Sequence, residues 1–80
     1  MVMKSPVLSR WERLFLYLKI QGPMTAFDII REVWTTTPSK VVSELRERMR
    51  NGWQPEWVLE EKVIIRNGGK IKRWSVRRKR

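Results

Sequence analysis

Residues 25–53, TAFDIIREVWTTTPSKVVSELRERMRNGW, decide how the rest of the chain must be arranged. Thr25-Ala26-Phe27-Asp28 has the spacing of a capping box, in which a hydroxyl and an acid three residues on satisfy each other's backbone amides. Asp28 also sets negative charge at the positive end of a helix dipole. Behind this cap, Phe27, Ile30 and Trp34, with Ala26, Ile29 and Val33 beside them, predict a wide buried face, leaving Arg31 and Glu32 for solvent. Three threonines, Thr35 to Thr37, follow. Each is β-branched and bonds locally, so together they mark a turn. Thr37 then serves as N-cap and Pro38 as first residue of a new helix, where a missing N–H costs nothing. Val41, Val42, Leu45 and Met49 recur at helical spacing and predict its core face. Ser39, Lys40, Ser43, Arg46, Glu47 and Arg50 are left toward solvent or a groove. Asn51-Gly52 ends the helix and Trp53 resumes an extended chain. Two helices joined by a short turn are the outcome.

On the N-terminal side, residues 1–8 read as an irregular lead-in, with Pro6 opposing helix. Ser9-Arg10-Trp11-Glu12 is another capping box. Trp11, Leu14, Phe15 and Leu18 then form one apolar helical stripe, which Gly22-Pro23 stops. On the C-terminal side, Trp57 to Ile65 is rich in strand formers, Asn67-Gly68-Gly69 supplies a turn, and Ile71 to Val76 returns. A two-residue Gly68-Gly69 loop would pair Val63 with Trp74 on the core face and is the preferred register. A three-residue loop opposing Ile65 and Ile71 stays open. Arg77 to Arg80 have nothing to bury and are expected to fray. The expectation is one α+β domain over residues 9–76, three helices followed by a β-hairpin, with a basic tail at 77–80.

Composition narrows the chemistry. Eighty residues make a single domain with a thin core. Cysteine and histidine are both absent, which removes disulfides, thiolate or imidazole metal sites and histidine acid–base catalysis. No glycine-rich phosphate cradle is present, and Glu60 and Glu61 alternate faces of a strand, so they cannot act as a pair. Neither enzyme activity, nor a metal, nor a cofactor is expected. The longest apolar run, Leu14 to Leu18, is too short for a membrane span. The start of the chain lacks a secretory signal's apolar core, so a cytoplasmic location without membrane association is expected.

Charge is the strongest compositional signal. The net charge is +10, and residues 66–80 hold eight cations and no acid, against ten cations and eight acids in residues 1–65. Such one-sidedness is the footprint of a polyanion binder; a merely solubilising tail is the plainer reading.

The order helix, helix, turn, helix, hairpin resembles the small winged helix-turn-helix proteins common in phages and other mobile elements. The residues that carry the resemblance are Thr25 to Val33, Ser39 to Arg46, Gly52-Trp53 and Gly68-Gly69-Lys70. It spans Ser9 to Val76. One departure stands out: the position after the second helix, often glycine in such proteins, is Trp34. The resemblance implies binding to double-stranded DNA, with the third helix in the major groove and the hairpin, or wing, along the backbone or minor groove, in a small transcription regulator or architectural factor.

Physical chemistry points to the same residues. A recognition helix offers its N-terminal side chains to base edges and its dipole to a phosphate. Thr36, Thr37, Ser39, Lys40 and Ser43 sit at that end, although Thr37 serves equally well as a plain cap and the serines as a solvated face. Arg46 and Arg50 continue the exposed side. In the wing, Arg66, Lys70, Lys72 and Arg73 cluster about a glycine tip that lets the backbone approach a phosphodiester. Arg77, Arg78, Lys79 and Arg80 form an arm that can reach a neighbouring groove. Of the five tryptophans, Trp11, Trp34, Trp53 and Trp74 fit core positions, and Trp57 is the one expected to differ. Two other classes remain: a module docking on a polymerase or other host protein through exposed apolar surface, which an exposed Trp53 or Trp57 would favour, and a single-strand or RNA binder using stacked bases. A homodimer stays open.

Overall fold

Ser9 caps the first helix as its spacing predicts: its amide and hydroxyl both donate to the Glu12 carboxylate, at 3.1 and 2.9 Å. The computed structural model describes residues 8–79; the lead-in 1–7 and Arg80 lie outside the described residues. Helix α1 runs Arg10–Gln21 and ends where the Gly22 amide donates to the Leu18 carbonyl. A two-residue strand, β1 (Met24–Thr25), follows. Thr25 then closes the second capping box on Asp28, its amide 3.0 Å from Oδ2 and its hydroxyl accepting the Asp28 amide at 3.4 Å.

Helix α2 is only Ala26–Ile29 before the chain widens into one π-helical turn, Ile30–Trp34. This corrects the wide buried face expected for it. Ile29 and Val33 are fully buried, whereas Phe27, Ile30 and Trp34 are 80, 40 and 79 % exposed. A single turn packed by its Ala26–Ile29–Val33 side has no second neighbour to cover the adjoining stripe. Helix α3 (Pro38–Arg50) matches its expectation: Pro38 starts it, and Val41, Val42 and Leu45 are buried with Met49 half-buried.

Strands β2 (Trp57–Arg66) and β3 (Gly69–Arg78) form the hairpin, and β1 joins β3 to give an antiparallel sheet ordered β1-β3-β2. The register corrects both sequence alternatives. Arg66 pairs with Gly69, so the loop is Asn67-Gly68; Val63 faces Lys72, and Trp74 faces Glu61. Asn67 and Gly68 lie at φ 52° and 78°, the left-handed pair of a type I′ turn, whose twist suits the two strands. Gly69 needs no such freedom and begins β3. The frayed tail is corrected too. Arg77 and Arg78 are strand residues opposite Val58 and Trp57, and the Lys79 amide donates to the Glu56 carbonyl at 2.7 Å.

The core gathers Leu14, Phe15 and Leu18 of α1, Met24, Ile29, Val33, the α3 residues and Trp74, with Leu59 and Val76 packed against it. Trp53 meets Trp11 and Phe15 edge-on at 4.9 and 4.8 Å between centroids. Such contacts add to burial in a domain this small. Because β1 reaches only Trp74 and Arg73, the outer hairpin beyond that pair has no third strand. Val63 and Ile65 there are 52 and 75 % exposed. The architecture is α+β, helices against a three-stranded antiparallel sheet. No helix among the described residues is long and apolar enough to cross a membrane.

Candidate nucleic-acid interface

The outward side of α3 follows from its core side. At 3.6 residues per turn, burying Val42, Leu45 and Met49 places Ser39, Ser43, Arg46 and Arg50 on one stripe and Lys40 with Glu44 and Glu47 on its flank. Ser43, Arg46, Glu47 and Arg50 line a shallow groove of about 300 Å³. At the helix start the threonines divide their roles. Thr35 is buried, and its hydroxyl accepts the Thr37 amide at 3.0 Å and lies 3.3 Å from the Thr37 hydroxyl. Thr36 and Thr37 stay exposed at the N-terminus of α3, so Thr35 shapes the turn and its two neighbours face solvent.

Arg46 is not a free solvent residue. Its guanidinium lies 3.3 Å from Glu61 Oε1 on β2. The same carboxylate accepts the Trp74 indole N–H at 3.0 Å and has the Lys72 ammonium 3.8 Å away. The indole bond, with Lys72 and Arg46 behind it, holds the Glu61 carboxyl below its ordinary pKa against a smaller opposing effect of burial. Glu61 therefore couples α3 to both strands of the hairpin.

The hairpin cations do not form one cluster at the tip. Alternation along each strand puts Lys70 and Lys72 on the face that carries Glu61, Val63 and Ile65, and Arg66 and Arg73 on the other. Lys62, which sequence reasoning passed over, sits directly opposite Arg73. Its membership was invisible without the register. Further in, Arg77 bonds Glu60 at 2.6 Å and Arg78 bonds Glu56 at 3.2 Å. Among the described residues, Lys40, Arg50, Arg66, Lys70, Arg73 and Lys79 make no ion pair. These six, rather than the strand-end arginines, are the uncompensated cations of the predicted set. Like charges facing across a strand pair destabilise the free protein, so a polyanion would relieve Lys62 and Arg73.

The aromatic expectation is also corrected. Trp57 is half-buried, edge-on to Phe15 at 5.8 Å, with Lys19 and Arg78 over its ring at 5.1 and 5.8 Å. Trp34 is the exposed tryptophan. It also stands at φ 62°, the left-handed conformation that glycine adopts freely and other residues hold at a cost of roughly 1–2 kcal/mol.

Compared with family models, curated proteins and solved structures, the chain matches none of them. The chemistry of the surface therefore stands on its own residues. It offers hydroxyls and cations at a helix start, a cationic hairpin beside it, and a carboxylate that links the two.

Proposed function

We propose that the chain is a winged helix-turn-helix domain that binds double-stranded DNA. In this reading α3 enters the major groove and the β2–β3 hairpin is the wing along the backbone. The observation that carries it is the Glu61 junction. By taking Arg46 from α3 and Lys72 from β3 on one carboxylate, it sets the recognition helix and wing as one surface rather than two independent ones. In this reading Ser39, Lys40 and Ser43 meet base edges, and Arg50, Arg66, Lys70 and Arg73 meet phosphates. Glu44 and Glu47 on the α3 flank work against indiscriminate attraction and favour some sequence preference.

Titration of duplex DNA against salt is the test. With these four phosphate contacts, log affinity should fall against log salt with a slope of about −3 to −4. No duplex binding at low salt sinks the proposal. An exposed Trp53 or Trp57 would favour the protein-docking alternative, and both are half-buried. Apolar exposure falls instead on Phe27, Ile30 and Trp34.

A further inference from the structure

The end of the π-helical turn and the first turn of α1 enclose an open cavity of about 430 Å³, lined by Leu8, Ser9, Arg10, Arg13, Val33 and Trp34. Its wall holds two guanidinium groups and no carboxylate. Glu12, the nearest acid in sequence, is engaged by the Ser9 amide and hydroxyl. Neither arginine has an ion pair among the described residues. Both lie at the positive end of the α1 dipole. Beside them the Trp34 indole is 79 % exposed and strained in its backbone. Packing explains neither feature, since an exposed ring adds little to the core and glycine would remove the strain. Strain of this kind in a position without a packing role points to function.

A flat, exposed ring beside two unneutralised cations matches a ligand that joins a flat ring to an anion. We propose that Trp34, Arg10 and Arg13 form a single-stranded nucleic-acid site, in which one base stacks on the indole and its phosphate is held by the guanidinium groups. Phe27, seven residues earlier on the same stripe and 80 % exposed, repeats the arrangement. It lines a groove with Arg66, Lys70 and Lys72. Phe27 and Trp34 stand toward the two ends of the segment formed by α2 and the π-helical turn, so one strand can run from the hairpin edge along α2 to α1. A second copy of the chain is a poor occupant, because the stripe is flanked at both ends by cations that would meet their own kind.

The Trp34–Arg10–Arg13 end of this site lies off α3, while its hairpin end shares Arg66 and Lys70 with the duplex surface, so the test varies residues that belong to one surface only. The full chain is titrated with a labelled oligothymidylate of about twelve nucleotides, in the site-size range of such binders. Its affinity is followed by anisotropy, and indole emission is followed in parallel. Binding should quench emission in the wild type and not in Trp34→Gly, a substitution the backbone favours. Trp34→Gly should weaken binding about 5- to 140-fold, the loss expected for one base stack, and Trp34→Phe should recover much of it. Arg10→Gln with Arg13→Gln should flatten the salt slope by about 1. Arg50→Ala should weaken duplex binding and leave oligothymidylate unchanged. Equal oligothymidylate affinity in the wild type and Trp34→Gly overturns the proposal, as does no binding at low salt; either leaves the stripe to a protein partner. Loss of duplex binding alone sinks only the duplex reading.

Discussion

The indole N–H of Trp74 donates to Glu61 Oε1 at 3.0 Å, directly across the hairpin from it. Trp74 is 4 % exposed, so this bond satisfies a buried donor and fixes a carboxylate at the edge of the candidate DNA surface.

Glu61→Leu should therefore cost about 1–3 kcal/mol, because the indole N–H is left buried without an acceptor. In a domain of this size each kcal/mol lowers the melting temperature by about 4–8 °C. Glu61→Gln keeps an acceptor and should cost less. Both should strengthen duplex binding at low salt, since Arg46 and Lys72 lose their shared counter-charge. Thermal melts and duplex titrations of the two variants check the pair. A variant that loses stability without gaining affinity argues against Arg46 and Lys72 as phosphate contacts.

Acid should destabilise the wild type more than Glu61→Gln. The folded carboxyls of Glu61 and Asp28 both titrate below their ordinary values of 4.5 and 3.8, Asp28 mainly through the Thr25 amide. A depressed folded pKa adds stability above the unfolded value and loses it as pH falls through the folded one. The loss should start near pH 4.5 and continue below it. Urea midpoints measured from pH 6 down to pH 3 should fall less in Glu61→Gln, with the Asp28 contribution remaining.

Trp34→Gly should raise stability by about 1 kcal/mol, because it releases left-handed strain and loses little burial. A melting temperature below the wild type's would mean that the exposed indole supports the turn after all.

The turn can be read from two glycine substitutions. Gly68 sits at φ 78° with open space about an added Cβ, while at Gly69 a Cβ meets only the Arg66 carbonyl at an ordinary 3.6 Å. Gly68→Ala should cost about 1 kcal/mol from backbone strain alone, and Gly69→Ala should be near neutral. The opposite order would place the loop at Gly68-Gly69.

Lys40→Ala should change the preference among duplex sequences, whereas Lys70→Ala should weaken all of them alike and reduce the salt slope by about 1. Competition assays with unrelated duplexes separate the two. Equal, sequence-blind losses would mean that α3 reads no bases.

The division between chain and fold is clearest at three places. Local signals determined both capping boxes, the Pro38 start, the Val41–Val42–Leu45 core face and the existence of the hairpin, because each depends on residues within one turn or one loop. The hairpin register was not legible. Asn67, Gly68 and Gly69 offer overlapping loops, and only strand twist selects the type I′ pair; a shift of that size moved Trp74 from Val63 to Glu61 and hid Lys62 opposite Arg73. Nor could β1 be anticipated, since two residues carry no strand pattern of their own.

The face of α2 shows the same limit. Periodicity marks Phe27, Ile30, Trp34 and Ala26, Ile29, Val33 alike as apolar, and both were read as buried. Only the number of elements surrounding a short helix decides which stripe is covered, and here one side is left open. By itself the sequence determined the order of the three helices and the hairpin, the positive charge and its concentration after residue 65. Tertiary structure alone decided which cations carboxylates neutralise, that Arg46 and Lys72 meet at Glu61, and that Trp34 stands exposed at one cavity with Arg10 and Arg13. The physical reason is range: capping and turn chemistry act within a few residues, while burial and ion pairing join groups far apart in the chain.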